Sequence, residues 1–216
     1  MDRVLITGIS GQDGVFLTSK LFSLNNNIKI YGISRNINNP NFYKKITKIN
    51  KNFNLDNIQL VNINLFNYIE VSNLISDLEP TVIINLTCPS SVSESIINEQ
   101  YYKVHLEDSF DNIANSVISL NLKTKIFQAS SSEMFDNSED RLNEQSALKP
   151  RNPYSNSKYK IHLKIEHLRK HSGLNISSGI MFNHESEFRS KQFLVMNIIQ
   201  NAIKIKRKEI ENFKIG

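Results

Sequence analysis

Cysteine is almost absent from this 216-residue sequence, because Cys88 is its only one. A single cysteine cannot form an internal disulfide and has no cysteine partner for a zinc site, so disulfide scaffolds and cysteine-zinc proteins are excluded. No uninterrupted apolar run approaches the roughly 18 residues that a membrane helix needs, and no basic segment precedes a long hydrophobic one at the start of the chain. We therefore expect a soluble, cytoplasmic protein with no membrane partner.

Charge of neither sign dominates, since 26 Lys and Arg stand against 21 Asp and Glu. The densest basic cluster ends an apolar-periodic stretch and is typical of the solvated end of a helix. It consists of Lys204, Lys206, Arg207 and Lys208. Aromatic interleaving and a recognisable nucleic-acid module are missing, so we expect no nucleic-acid partner. His167 and His171 are four residues apart but have no acidic or cysteine partner at ligand spacing, so we expect no metal site.

Glycine is scarce as well, yet three of the seven glycines lie in one short window, at Gly8, Gly11 and Gly14. An apolar run, residues 4–6, precedes this window, and a stretch with helical spacing, residues 15–24, follows it. A strand, a glycine-rich turn and a helix start in this order are typical of a pyrophosphate site, where backbone N–H groups face the phosphates. The window therefore predicts a dinucleotide-binding turn that includes Gln12 and Asp13.

The rest of the chain alternates between predicted strands and predicted helices, with 39% hydrophobic residues to form a core. This alternation predicts a doubly wound parallel α/β sheet of the Rossmann type, whose ligands bind at the carboxyl ends of the strands. The loop over residues 130–153 is far longer than usual, which favours a functional loop. The predicted strands are residues 4–6, 28–33, 58–65, 82–86, 125–129 and 176–182. The predicted helices are residues 15–24, 42–49, 68–78, 99–120, 154–172 and 193–208.

The second predicted strand ends at Ser34 and Arg35, where NAD-binding folds usually carry an acidic residue for the ribose 2′-hydroxyl. An arginine cannot accept that hydrogen bond, but it can pair with a 2′-phosphate. The sequence therefore favours NADP as the cofactor, although Arg35 is also compatible with an ordinary solvated loop.

Tyr154 and Lys158 are four residues apart on a predicted helix and so share a face. An ammonium beside a phenol favours the phenolate, which makes the pair suitable for general base catalysis. Ser131 and Glu133 follow the fifth predicted strand and place a hydroxyl and a carboxylate at the same edge of the sheet. These four residues are the candidate catalytic groups.

Several stretches are shared with a known family: residues 7–14, residues 128–133, residues 150–154 with Lys158, and above all residues 179–186. Together they resemble the GDP-mannose 4,6-dehydratase family of the extended short-chain dehydrogenase/reductase superfamily. The resemblance implies that GDP-mannose, or a related nucleotide sugar, is the substrate. NADP would take hydride from C4, water would be lost across C5 and C6, and the hydride would return to C6 to give GDP-4-keto-6-deoxymannose.

The resemblance also implies roles for individual residues. Tyr154 would remove the C4 hydroxyl proton, and Lys158 would lower the pKa of Tyr154 and hold the nicotinamide ribose. Ser131 would hydrogen-bond the reacting hydroxyl, and Glu133 would handle the C5 proton and the departing water. Asn183 would contact the substrate. The implied cofactor contacts are Asn64, Leu65, Tyr154, Lys158 and, in a supporting role, His184.

Other positions depart from the family pattern. Asn64 replaces an Asp, Asp136 replaces a Gly, and Asn197 stands where a phosphate-binding Lys is expected. We expect residues 1–182 to form the NADP-binding domain and residues 183–216 to be the incomplete beginning of a substrate domain. We also expect either a homo-oligomer or a partner chain that completes the substrate domain. Two alternatives stay open: a non-catalytic NADP-binding or subunit-pairing remnant of the family, and an NADP-dependent nucleotide-sugar epimerase or reductase.

Overall fold

The computed structural model of the chain describes residues 2–25, 27–51, 55–89, 91–136 and 140–214. Its centre is a six-stranded sheet in which every pairing is parallel. Short runs of Val, Ile and Leu form these strands, as expected for a sheet that is covered on both faces. The strands are β1 (Arg3–Thr7), β2 (Lys29–Ile33), β3 (Ile58–Val61), β4 (Val82–Asn85), β5 (Lys125–Ala129) and β6 (Ile176–Gly179).

The strand order is β3-β2-β1-β4-β5-β6, so the direction of winding reverses between β1 and β4. This reversal is the switch point at which doubly wound sheets bind their ligands. The register sets Thr7 beside Ile33 on one side and beside Asn85 on the other, and Asn85 beside Gln128. Polar residues of three adjacent strands thus meet at the carboxyl edge. The predicted doubly wound parallel fold is confirmed.

Helices connect the strands: α1 (Gln12–Leu24), α2 (Pro40–Ile49), α3 (Tyr68–Leu78), α4 (Val92–Ile97), α5 (Glu99–Lys103), α6 (Ser109–Ser119), α7 (Pro153–Ser172) and α8 (Leu194–Lys206). Capping chemistry explains the ends of α7. The Asn152 side chain accepts from the Ser155 amide, and the Ser155 hydroxyl accepts from the Asn152 amide, which forms a capping box ahead of Pro153. Gly173, with φ of 61°, ends the helix in the left-handed conformation.

The predicted helix over residues 99–120 is interrupted in the structure. A π-helical segment, Val104–Asp108, separates α5 from α6. Apolar spacing along a helix cannot reveal a single wide turn of this kind, and such turns are frequent at functional sites. A second difference lies in the predicted loop after β4, where Ser91 caps the short helix α4 by accepting from the Glu94 amide.

The core packs helices against the sheet. Buried apolar residues of α3, α5, α6 and α7 form one cluster with the strands, among them Ile75, Phe110, Ile161 and Ile165. The chain divides into two compact units, residues 1–182 and residues 183–216. The assignment of these units to NADP binding and substrate binding stays a prediction. Within the described ranges, no helix has both the length and the apolar character to cross a membrane.

Candidate cofactor and active site

The glycine window forms the turn between β1 and α1. Gly8 has a φ of 66°, in the left-handed region that glycine favours, and its carbonyl accepts from the Gly11 amide at 3.0 Å. A Cβ added at Gly14 would lie 2.4 Å from the Ile9 carbonyl oxygen, so only glycine fits where α1 packs on this turn. The helix therefore starts close to the strand, with its first amides at the carboxyl edge of the sheet. Backbone of this kind suits a phosphate group.

A cavity of about 550 Å³ opens beside this turn. Gly8 and Gly11 line it, and so do Arg35, Asn64 and Leu65 from the ends of β2 and β3. The structure therefore brings these predicted cofactor residues together. Gln12 and Asp13 belong to the first turn of α1, and Gly14 packs against the backbone of the turn rather than lining the cavity.

An aromatic cluster that the sequence did not predict lines the same cavity. The Tyr101 and His105 ring centroids are 3.7 Å apart, and the Phe66 and His105 centroids are 4.3 Å apart. The His105 Nδ1 lies 2.8 Å from the Tyr101 carbonyl oxygen. Flat aromatic faces at a cavity rim suit a planar ring such as a nucleobase. The spacing of four residues between Tyr101 and His105 is the signal that could have indicated the cluster.

Lys45 of α2 is a second residue that sequence reasoning missed. Its Nζ donates to the Ser10 carbonyl at 3.2 Å, and Ser10 lines the cavity. Burial lowers the pKa of the Lys45 ammonium. This contact connects α2 to the glycine-rich turn. The local sequence could not predict it, because the two residues are 35 positions apart.

Tyr154 and Lys158 lie on the first turns of α7, and both side chains are buried. The Lys158 Nζ donates to the Ala129 carbonyl at 2.8 Å and lies 5.8 Å from the Tyr154 ring centroid. Ser131 hydrogen-bonds the Tyr154 phenol, and its Oγ also accepts from the Glu133 amide at 3.3 Å. The structure therefore brings all four candidate catalytic residues to the carboxyl edge of β5.

Burial has the largest effect on the Tyr154 phenol and raises its pKa well above the ordinary value of about 10. Cys88, whose Sγ lies 3.9 Å from the phenol oxygen, and the Glu133 carboxylate add to the rise, whereas the hydrogen bond from Ser131 lowers the pKa. The Lys158 ammonium is directed to the Ala129 carbonyl. The expectation that Lys158 lowers the Tyr154 pKa stays a prediction.

A buried hydrogen-bonded chain connects the glycine-rich turn to Lys158. The Thr7 hydroxyl donates to Asn85 Oδ1, Asn85 Nδ2 donates to Gln128 Oε1 at 2.7 Å, and Gln128 Nε2 donates to the Ala129 carbonyl at 3.0 Å. That carbonyl also accepts from Lys158. Each polar group in this series of hydrogen bonds is paired, as burial requires. The series fixes the Ala129 carbonyl, which is the acceptor that holds the Lys158 ammonium.

The described part of the long loop after β5 is closed by a short antiparallel contact between Phe135 and Leu148. Asp136 reinforces it with an ion pair to Arg151, whose Nη2 lies 2.8 Å from Oδ1. Asp136 is one of the departures from the family pattern, and in this chain it secures the segment that leads into α7.

Asn183 and His184 belong to the second compact unit, in which both residues are exposed. Their expected contacts with substrate and cofactor stay predictions. Among the described residues, no group of three or more His, Cys, Asp or Glu side chains is arranged to hold a metal ion.

The sheet, its glycine-rich turn and the Tyr154–Lys158 pair define a Rossmann-type fold of the short-chain dehydrogenase/reductase class. A solved structure of dTDP-glucose 4,6-dehydratase from Bacillus anthracis, in complex with NAD, has this fold, with 18% identity and a TM-score of 0.78 over 94% of this chain and 62% of that one. UDP-glucuronic acid 4-epimerase from Bacillus cereus, in complex with UDP-glucuronic acid and NAD, gives 17% identity and a TM-score of 0.79 over 94% and 63%.

The family described as GDP-mannose 4,6 dehydratase matches residues 5–216. The chain therefore belongs to the GDP-mannose 4,6-dehydratase family. GDP-mannose 4,6 dehydratase 2 from Arabidopsis thaliana is 30% identical over 209 residues, which cover 94% of this chain and 55% of that relative. The human GDP-mannose 4,6 dehydratase is 29% identical over 225 residues, which cover 98% and 58%. The chain thus spans little more than half the length of these relatives.

Proposed function

We propose that this chain is a nucleotide-sugar dehydratase that converts GDP-mannose to GDP-4-keto-6-deoxymannose with an internally recycled NADP. The observation that carries the proposal is the placement of Tyr154, Lys158, Ser131 and Glu133 at one edge of the sheet, with Cys88 linking the Tyr154 phenol to the cavity beside the glycine-rich turn. Family membership supports the substrate and the reaction, since the matching family is described as GDP-mannose 4,6 dehydratase.

The residues around the cavity fit a nicotinamide dinucleotide. Gly8 and Gly11 expose backbone for a pyrophosphate, and the aromatic cluster offers a flat surface at the rim. Arg35 lines the same cavity and can pair with a 2′-phosphate, which favours NADP in this chain, although the two solved structures named above carry NAD. When bound, NADP would supply hydride transfer from C4 and back to C6.

Each catalytic candidate has a task suited to its chemistry. The Tyr154 phenolate would take the proton of the C4 hydroxyl, and the Lys158 ammonium would offset part of the cost of burying that phenolate. Ser131 would orient the hydroxyl. Once C4 is a ketone the C5 proton is acidic, and the exposed Glu133 carboxylate, whose charge acts on the Tyr154 phenol, would take that proton. The same carboxyl group would then give the proton to the C6 hydroxyl, which leaves as water when the C6–O bond breaks.

A second candidate function is a non-catalytic NADP-binding or subunit-pairing member of the family. The raised pKa of the Tyr154 phenol favours it, since a phenol that keeps its proton cannot take the proton of the C4 hydroxyl. In this case the cavity would still bind NADP, and no 4-keto product would form.

The experiment that separates the two candidates is incubation of the purified chain with GDP-mannose and NADP, with the 4-keto sugar measured by mass spectrometry. We expect product from the unsubstituted chain and none from Tyr154→Phe, which keeps the ring and removes the acid-base oxygen. Binding of NADP is measured in parallel by calorimetry. NADP binding without product would support the non-catalytic candidate and contradict the dehydratase.

The partners and location of the protein are part of the same proposal. We propose a cytoplasmic protein that acts as a homo-oligomer. Light scattering of the purified protein measures its mass in solution, and a mass equal to that of one chain would contradict the homo-oligomer.

A further inference from the structure

Glu107 is a buried carboxylate that the proposed mechanism does not use. It lies in the π-helical segment between α5 and α6 and is 6% exposed. The Ser157 hydroxyl donates to its Oε1 at 2.7 Å, and the Lys160 Nζ lies 3.6 Å from the same oxygen. Burying a carboxylate is costly unless it is paired, and these two contacts provide the pairing for Glu107.

Both partners of Glu107 lie on α7 beside the candidate catalytic residues. Ser157 directly precedes Lys158 and follows Tyr154 by three residues, so the Glu107 contact lies within one helical turn of both. A second contact comes from the same direction, because the Tyr102 ring of α5 packs edge-on against the Tyr154 ring at 6.4 Å between centroids. The α5–π–α6 segment therefore holds the catalytic end of α7 from one side.

We propose that Glu107 is a positioning residue that fixes α7, and with it the Tyr154 phenol and the Lys158 ammonium, relative to the carboxyl edge of β5. The proposal rests on the proposed function only in taking Tyr154 and Lys158 as the catalytic pair. Glu107 lies within the π-helical segment, a kind of turn that is frequent at functional sites, and its carboxylate accepts from the Ser157 hydroxyl.

The chain contains a matched control one helical turn away. Asp111 of α6 pairs with Lys164 of α7 at 2.6 Å between Oδ2 and Nζ, four residues beyond Glu107 and Lys160 on each segment. The Asp111 and Lys164 side chains are 36% and 41% exposed. This half-exposed pair is screened by solvent and is expected to contribute less to positioning than the buried Glu107 carboxylate. The comparison of the two sites thus separates a buried positioning contact from any carboxylate–lysine pair between the same helices.

Cys88 provides a reporter at the site itself. It is the only cysteine of the chain, it lines the cavity, and its thiol lies 3.9 Å from the Tyr154 phenol oxygen. Movement of α7 would remove this neighbour and open the thiol to reagent. The rate of Cys88 alkylation by iodoacetamide therefore reports the position of Tyr154 without substrate or cofactor, so its outcome is independent of whether the chain is an active dehydratase.

The test compares the full chain with Glu107→Leu, Glu107→Gln and Asp111→Leu. We expect Glu107→Leu to raise the alkylation rate about five-fold, the factor that corresponds to the net contribution of one hydrogen bond. Glu107→Gln keeps an acceptor for Ser157 and should restore most of the original rate, while Asp111→Leu should leave it unchanged. Hydrogen exchange of residues 153–160 should increase in Glu107→Leu alone.

Equal alkylation rates and equal hydrogen exchange in Glu107→Leu and Asp111→Leu would overturn the proposal. So would a rise that follows global stability in every variant, with stability measured by urea unfolding. Ser157→Ala provides a milder variant should Glu107→Leu not fold, and it is expected to change both readouts in the same direction. An unchanged rate and unchanged exchange in Ser157→Ala would also count against the proposed contact.

Discussion

Arg35 shows how much one side chain can decide at a cofactor site. It lies on the cavity that Gly8 and Gly11 also line, at the end of β2, where an acidic residue would select the ribose 2′-hydroxyl of NAD. A guanidinium at this position recognises a phosphate by charge and by two parallel hydrogen bonds. The proposed preference for NADP therefore depends on a single residue.

We predict that Arg35→Ala weakens NADP binding roughly ten- to hundredfold, the range expected for loss of a hydrogen bond to a charged group. NAD affinity should change little, because NAD lacks the 2′-phosphate. Calorimetric titration with each cofactor measures both values, and Arg169→Ala, an exposed arginine at the end of α7, is the control. Equal affinities of the unsubstituted chain for NADP and NAD would refute the cofactor assignment.

Tyr154 makes a second prediction at this scale, from the raised pKa of its buried phenol. The unfolded chain releases the Tyr154 proton near pH 10, whereas the folded chain retains it. The raised pKa therefore contributes its full stabilisation below about pH 10. Above that pH the free energy of unfolding falls by at most about 1.4 kcal/mol per pH unit.

Urea unfolding between pH 9 and pH 11 measures this effect. Tyr154→Phe should lose less stability than the unsubstituted chain over that interval, while Tyr68→Phe, at an exposed tyrosine, should lose as much as the unsubstituted chain. Parallel curves for all three proteins would show that the folded state does not disfavour the Tyr154 phenolate.

At the scale of elements, the glycine-rich turn depends on backbone packing more than on side chains. Gly14 lies where a Cβ would come within 2.4 Å of the Ile9 carbonyl oxygen and 2.6 Å of the Gly8 carbonyl oxygen. Neither backbone atom can move without separating α1 from β1. The turn and the helix are thus one rigid element.

We predict that Gly14→Ala lowers the free energy of unfolding by about 1–3 kcal/mol, as overpacking typically does, and that it also weakens NADP binding because the turn must widen. Gly11→Ala should cost less, since its Cβ would approach one oxygen no closer than 3.2 Å. Urea unfolding of both variants gives the comparison. A Gly14→Ala protein as stable as Gly11→Ala would contradict the packing described for this turn.

The elements differ in how well the sequence predicts them. Residues 68–78 and 125–129 have the same bounds in the prediction and in the structure, because Asn67 and Pro80 flank the first and polar turns flank the second. The third and sixth strands end earlier than predicted, at Val61 and Gly179, since apolar residues continue past the last residue of the regular strand. Hydrophobicity marks burial, and strand ends are set by pairing with a distant neighbour.

For the candidate site as well, the sequence predicts local features and misses contacts between distant residues. Motifs along the chain predict the glycine-rich turn, Arg35 and the Tyr154–Lys158 pair, each of which depends on local sequence. The contacts of Lys45 with Ser10 and of Glu107 with Ser157 join residues far apart in the chain, so no local pattern predicts them. The pKa of Tyr154 is also beyond local reasoning, because burial is a property of the fold.

At the scale of the whole molecule, a sheet with its switch point between β1 and β4 brings the glycine-rich turn, the cavity and the catalytic candidates to one edge. Membership of the GDP-mannose 4,6-dehydratase family supports the proposed reaction, and the chain spans little more than half the length of its curated relatives. We propose that these residues carry out an internal oxidation, elimination and reduction on one sugar.

The most direct test uses GDP-mannose with deuterium at C4 of the mannosyl ring, incubated with the purified chain and NADP. Mass spectrometry and NMR of the product locate the label. The proposed reaction predicts GDP-4-keto-6-deoxymannose with the deuterium at C6, because the same hydride leaves C4 and returns to C6. A product without deuterium, deuterium that accumulates on free cofactor, or no product from a chain that binds NADP would contradict it.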